Sequence, residues 1–208
     1  MERRLTGLLT ITLVSMSPSA FGQPTQLPVA PEPTPIETRT YQVKARIKNN
    51  AGITPFKVGE LITVRFTYDI NSKKLRSDDS YAHRVSKRNK MTFASGETKF
   101  AATEDIIIAV SSGKYYQTLN FVANDLELPE GWETNHKRGR QHYVVMFQTL
   151  TPEGVITGNS IPDRFSLSDF KDTAEVRLNF VEGVKFPGGE VKRGVVMCKI
   201  ESLEEVKH

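Results

Sequence analysis

From Thr38 onward, apolar residues recur at every second position. Tyr41, Val43, Ala45 and Ile47 alternate with Gln42, Lys44, Arg46 and Lys48. Ile62, Val64, Phe66 and Tyr68 alternate with Thr63, Arg65 and Thr67, and the run stops at Asp69. Side chains along a strand point to opposite faces in turn, so each run is a strip with one greasy side and one wet side. Wound into a helix, the same residues would scatter their apolar groups around the axis. Burying each of Ile62, Val64, Phe66 and Tyr68 is worth about 1.5–3 kcal/mol relative to exposure, so these side chains belong to a core rather than to a binding stripe.

The pattern continues along the chain. Further strands are expected near Ser80 to Ser86, Lys90 to Ala94, Thr98 to Ala102 and Asp105 to Val110, and at Tyr116 to Ala123, Gln141 to Leu150, Ala174 to Val181 and Gly194 to Leu203. Turn signals stand between them: Asn49-Asn50-Ala51-Gly52, Ser95-Gly96-Glu97, Ser111-Ser112-Gly113, Thr151-Pro152-Glu153-Gly154, Gly158-Asn159 and Pro187-Gly188-Gly189. No window carries an apolar stripe at helical spacing. About ten short strands separated by turns predict an all-β fold, a single antiparallel two-sheet β-sandwich of jelly-roll or immunoglobulin-like type spanning 38–208.

What precedes that region has a different composition. Met1-Glu2-Arg3-Arg4 is a short basic head, Leu5 to Met16 is uncharged and rich in Leu, Ile and Val, and Ser17-Pro18-Ser19-Ala20-Phe21-Gly22 ends with small residues. This is the layout of a secretory signal peptide over 1–22, with cleavage expected between Gly22 and Gln23. The apolar run is about a dozen residues, short of the ~20 that a spanning helix needs. Residues 23–37, "QPTQLPVAPEPTPIE", carry prolines at 24, 28, 31, 33 and 35 and read as an extended, disordered linker. The chain is therefore expected to be secreted or periplasmic, with no membrane span in its mature form.

Cys198 is the single cysteine, so no internal disulfide can form and the core must suffice. It reads as a small buried apolar group on the last strand. Loss of residues 1–22 removes Arg3, Arg4 and Glu2 and lowers the net charge from +4 to +3. With acids and bases mixed along the chain, nucleic acid is not an expected partner.

Catalytic patterns fail one after another. Gly158-Asn159-Ser160-Ile161-Pro162 lacks the second glycine of a nucleophile elbow. The histidines, His83, His136, His142 and His208, have no zinc-ligand spacing, and Cys198 has no partner cysteine. The stretch from Asp69 opens like a calcium loop, but Lys74 stands where glycine is needed and Ser80 where the closing glutamate belongs. Calcium elsewhere would require clustered oxygens at Asn124-Asp125 or Asp78-Asp79, where turn hydrogen bonding explains the same residues. No cofactor is expected, with calcium at one of those two pairs as the alternative.

Binding is better supported. Trp132, the only tryptophan, sits in the turn-rich segment Leu128-Pro129-Glu130-Gly131-Trp132-Glu133, and Tyr115-Tyr116 follow a glycine turn. Exposed rings could stack on sugars, although a Trp in such a loop more often caps the core. Two basic clusters, Arg84, Lys87 and Arg88 with Lys90, and Lys137, Arg138 and Arg140, could hold an anionic envelope polysaccharide or lipid head group. Solvated loops and lysine-blocked sheet edges are the commoner reason for such runs.

Four short motifs follow one another in order: Val58-Gly59-Glu60 with Phe66-Thr67-Tyr68-Asp69, then Phe121-Val122-Ala123-Asn124-Asp125, Gly158-Asn159-Ser160-Ile161-Pro162 with Phe165-Ser166-Leu167, and Asp169-Phe170 leading to Val176-Arg177-Leu178-Asn179-Phe180. Together they resemble a group of exported bacterial β-sandwich proteins that often carry PEP-CTERM sorting tails. Val64-Arg65 replaces the small Gly-Ser pair usual in that group. The sequence closes on "ESLEEVKH", without such a tail, so sorting by that route is not expected. The resemblance implies an envelope or extracellular sandwich with no assigned catalytic residues. Together these readings predict a secreted, non-catalytic β-sandwich that binds polysaccharide or another envelope polymer, or serves a structural role. The alternative is a secreted glycoside hydrolase-like enzyme, which would need two carboxylates facing each other across a cleft.

Overall fold

Tyr41 and Phe66 show how the alternation becomes architecture. In the computed structural model, strands β1 (Thr38–Asn49) and β2 (Leu61–Asp69) pair antiparallel with Tyr41 opposite Phe66 and Val43 opposite Val64. The predicted inner residues Ile62, Val64, Phe66 and Tyr68 are all buried, while Arg65 between them is exposed. The structure describes residues 37–53, 55–102, 106–124, 126–134, 143–150, 154–170 and 173–207. The expected signal peptide, the linker before Glu37 and the second basic cluster (Lys137, Arg138, Arg140) lie outside the described residues.

Eleven further strands follow among the described residues: β3 (Lys73–Ser77), β4 (Tyr81–Val85), β5 (Lys90–Ser95), β6 (Thr98–Ala102), β7 (Ile107–Gly113), β8 (Tyr116–Ala123), β9 (Leu126–Glu127), β10 (Glu133–Thr134), β11 (Tyr143–Thr149), β12 (Thr173–Lys185) and β13 (Val191–Glu205). There is no α-helix among them, only one turn of 3₁₀ helix at Leu167–Asp169. All ten predicted strands are present. The additional three are β3, whose five residues are all exposed and carry no alternation, and the two-residue strands β9 and β10, too short to leave a pattern. Ser111-Ser112-Gly113, expected as a turn, continues β7, and the chain reverses at Lys114-Tyr115 instead. The turn at Asn49-Asn50-Ala51-Gly52 forms as expected. Asn49 Oδ1 accepts from the Ala51 amide at 2.8 Å and Asn50 Oδ1 from the Gly52 amide at 3.1 Å, with Gly52 at φ +76°.

The expected pair of separate sheets is replaced by one continuous antiparallel ladder. Its order is β3-β4-β7-β8-β11-β12-β13-β1-β2-β5-β6-β9, with β10 added beside β12. In a flat sheet β8 and β2, five steps apart, would stand about 24 Å from each other. Yet the rings of Phe66 on β2 and Phe121 on β8 have centroids 4.3 Å apart. The ladder therefore doubles over, and its apolar faces meet. Phe165, from the loop before the 3₁₀ turn, packs between the two halves against Tyr41, Phe121 and Phe147. Phe56, from the β1–β2 loop, packs on Phe180, Phe100 and Trp132. Long strands β1, β12 and β13 carry register shifts, the usual means by which a sheet bends. The edge strand β3 is blunted by Lys73, Lys74 and Arg76 and by a register shift between Lys74 and Arg76, both of which discourage pairing with another chain.

Candidate functional site

The polar residues that alternate with the core come into register on the outer face. One row across the ladder runs Gln42, Arg65, Thr92, Ala101 and Glu127, on β1, β2, β5, β6 and β9. The neighbouring row runs Lys44, Thr63, Ala94 and Lys99. Short side chains in the middle (Thr63, Thr92, Ala94, Ala101) and long ones around them (Arg65, Lys99, Glu127) leave an open cleft of about 550 Å³. Phe93 and Phe100 lie beneath, their rings stacked on each other at 5.2 Å and buried. The floor therefore rests on packed aromatic rings, and the rim is charged.

Electrostatically the cleft leans positive. Arg65, Lys99 and Glu127 are all exposed, and none makes an ion pair with another described residue. Glu127 is the one carboxylate among the described residues that line the cleft. Two acids flanking a reacting bond are thus not assembled there from the described residues. Nor is a metal centre: among the described residues no three His, Cys, Asp or Glu side chains cluster at ligand distance. Asp78, weighed for calcium, serves a turn, its Oδ1 accepting from the Ser80 amide at 2.8 Å. Asp125 of the other candidate pair lies outside the described residues. No described helix is long and apolar enough to cross a membrane.

The residues singled out in the sequence go elsewhere. Trp132 is half-buried, packed edge-on to Phe186 at 4.6 Å and near Phe56 and Phe100, so it caps the core and is not an open stacking platform. Tyr115 and Tyr116 are exposed, at 69% and 42%, but they stand at the β7–β8 turn and take no part in the cleft. The Tyr116 ring lies against Gly113, where a Cβ would come within 3.0 Å of it.

The basic cluster around Arg84 does not converge. Arg84 sits opposite buried Ile108, on the inward side of β4. There Nη2 donates to the Asn159 carbonyl at 3.1 Å, and burial lowers the pKa of the guanidinium below its ordinary value. Arg88 Nη1 donates to Asp69 Oδ2 at 2.9 Å, which leaves Lys87 exposed in the β4–β5 turn. The three come apart because strand alternation turns Arg84 inward and the turn swings Arg88 onto a buried acid.

Arg65, Lys99 and Glu127 were missed as a group. Each is an ordinary wet-face residue of its own strand, and the only local signal was the small size of Thr63, Thr92, Ala94 and Ala101. In comparisons with known proteins, no protein-family model, no curated protein and no solved structure matches this chain.

Proposed function

We propose that this chain is an exported, non-catalytic β-protein that holds a polysaccharide or other extended envelope polymer in the outer-face cleft. Its doubled-over sheet would act as a sandwich-like scaffold. The observation that carries this reading is the cleft itself: a floor of short side chains over buried Phe93 and Phe100, bordered by Gln42, Arg65, Lys99 and Glu127. Short residues admit a chain lying along the sheet, and long polar ones supply hydrogen bonds from both sides. A rigid strand scaffold suits such a site, because its side chains need little ordering on binding. One lining carboxylate rather than two favours binding over hydrolysis. The export half of the proposal rests on the Met1–Gly22 pattern, and the resemblance to exported sandwich proteins points the same way.

The test is binding of the purified chain to a panel of glycans and envelope polymers at two salt concentrations, with Ala94→Trp as the variant that fills the cleft. Retention of at least one polymer by the native chain and its loss in Ala94→Trp is the expected result. Binding that Ala94→Trp leaves intact would remove the cleft from consideration. Steady release of reducing ends from a bound glycan would replace the binding role with an enzymatic one.

A further inference from the structure

Resting on the cleft reading, we infer that the polymer it takes is a carboxylated polysaccharide. Neutral sugar chains are commonly held by an exposed aromatic face, since a ring offers a broad apolar surface with little ordering cost. The cleft offers none: the two aromatic residues that line it, Phe93 and Phe100, are 2% and 5% exposed and face the core. Recognition must then come from hydrogen bonds and charge.

The charges are arranged for that purpose. Lys99 on β6 stands in the row of Thr63 and Ala94, two strand steps or about 10 Å from β2, which carries Arg65. Arg65 projects from the adjacent row, beside the floor formed by Thr63, Thr92 and Ala94. Glu127 is the only opposing charge lining the cleft among the described residues. A planar guanidinium with an ammonium group across the floor suits a chain with repeated carboxylates, the arginine taking one acid bidentately and the lysine attracting a neighbouring one as a point charge. The single acid works against polymers of the highest charge density.

The probes are polygalacturonate, neutral dextran and polyphosphate, titrated by calorimetry into the native chain, Arg65→Gln, Lys99→Gln and Ala94→Trp. The two Gln changes replace exposed side chains, and unchanged thermal midpoints show that folding is intact. Polygalacturonate is expected to bind and dextran not. Each Gln variant should weaken binding about two- to fivefold, the range for an exposed charge contact. Raising salt from about 50 to 500 mM should weaken the native complex by at least as much, since the Debye length shrinks severalfold.

No binding of polygalacturonate, equal binding of dextran, or Gln variants that bind as the native chain does would overturn the charge inference. Loss of dextran binding in Ala94→Trp would at the same time leave the cleft standing as a neutral-glycan site. Tighter binding of polyphosphate than of polygalacturonate would overturn the choice of carboxylate. Polygalacturonate binding untouched by Ala94→Trp would sink the inference and the cleft together.

Discussion

Asp69 ends β2 and holds three segments together, so replacing it should cost more than its position in a turn suggests. Its carboxylate is almost fully buried, with the side chain 4% exposed. Oδ1 accepts from the Asn71 amide at 2.9 Å, and Oδ2 accepts from Ser86 Oγ at 3.0 Å and Arg88 Nη1 at 2.9 Å. Beside it, Asn89 Oδ1 accepts from the Asp69 amide and Asn89 Nδ2 donates to the Ile106 carbonyl, which ties the same cluster to the start of β7. In Asp69→Ala, the Asn71 amide and the Ser86 hydroxyl lose a charged acceptor, at roughly 1–1.5 kcal/mol each for part-buried groups. The Arg88 contact adds under about 1 kcal/mol, because that side chain is 52% exposed and water screens it.

The total is about 3 kcal/mol, or about 6–12 °C in Tm for a domain of this size. Asp69→Asn keeps the shape and one acceptor oxygen, and should cost about 1 kcal/mol. Urea unfolding followed by Trp132 fluorescence measures both, with Arg88→Ala as the control for the exposed ion pair. If Asp69→Ala unfolds within about 0.5 kcal/mol of the native chain at an unchanged slope, the hub is decorative and the reasoning fails.

Other consequences follow from the same packing. Phe121→Ala removes a ring that touches Phe66, Tyr68 and Phe165, and should destabilise by about 3–5 kcal/mol; a loss under about 1 kcal/mol in the same urea titration would mean the two halves of the sheet are not in contact there. Burial pushes the Cys198 thiol up to about 12, so a thiol reagent at pH 8 should label it only in denaturant, and rapid labelling of the folded chain would contradict its placement. His83 on β4 has its pKa lowered, first by burial and then by Arg76. The unfolded chain then binds a proton that the folded chain refuses, so stability is full above about pH 6.5 and falls as pH drops below it. His83→Gln should flatten that part of a Tm–pH profile; an identical slope in the variant would assign the effect to other groups.

Much of the strand inventory was readable in advance because burial on one face of a strand writes itself directly into the order of residues. Ile62, Val64, Phe66 and Tyr68 needed no neighbour to declare their side. Where that local rule has nothing to act on, prediction stopped. β3 buries none of its five residues, and β9 and β10 are two residues each. Trp132 illustrates a different limit. A tryptophan in a turn is compatible with solvent or with core, and the nearness of Phe186, 54 positions away in the chain, decides it.

Alternation alone settled that this is a β-protein with an aromatic interior, since period and polarity are properties of consecutive residues. Whether those strands form two sheets or one depends on which edges meet. That is a matter of long-range pairing: β1 lies beside β13 from the far end of the chain, and Phe66 finds Phe121 only when the ladder bends. The cleft belongs to the same category. The hairpin at Gly96-Glu97 fixes Lys99 opposite Ala94 locally, but Arg65 and Glu127 join that surface only through the pairing of β2 with β5 and of β6 with β9, and no local pattern encodes register between strands that are distant in sequence.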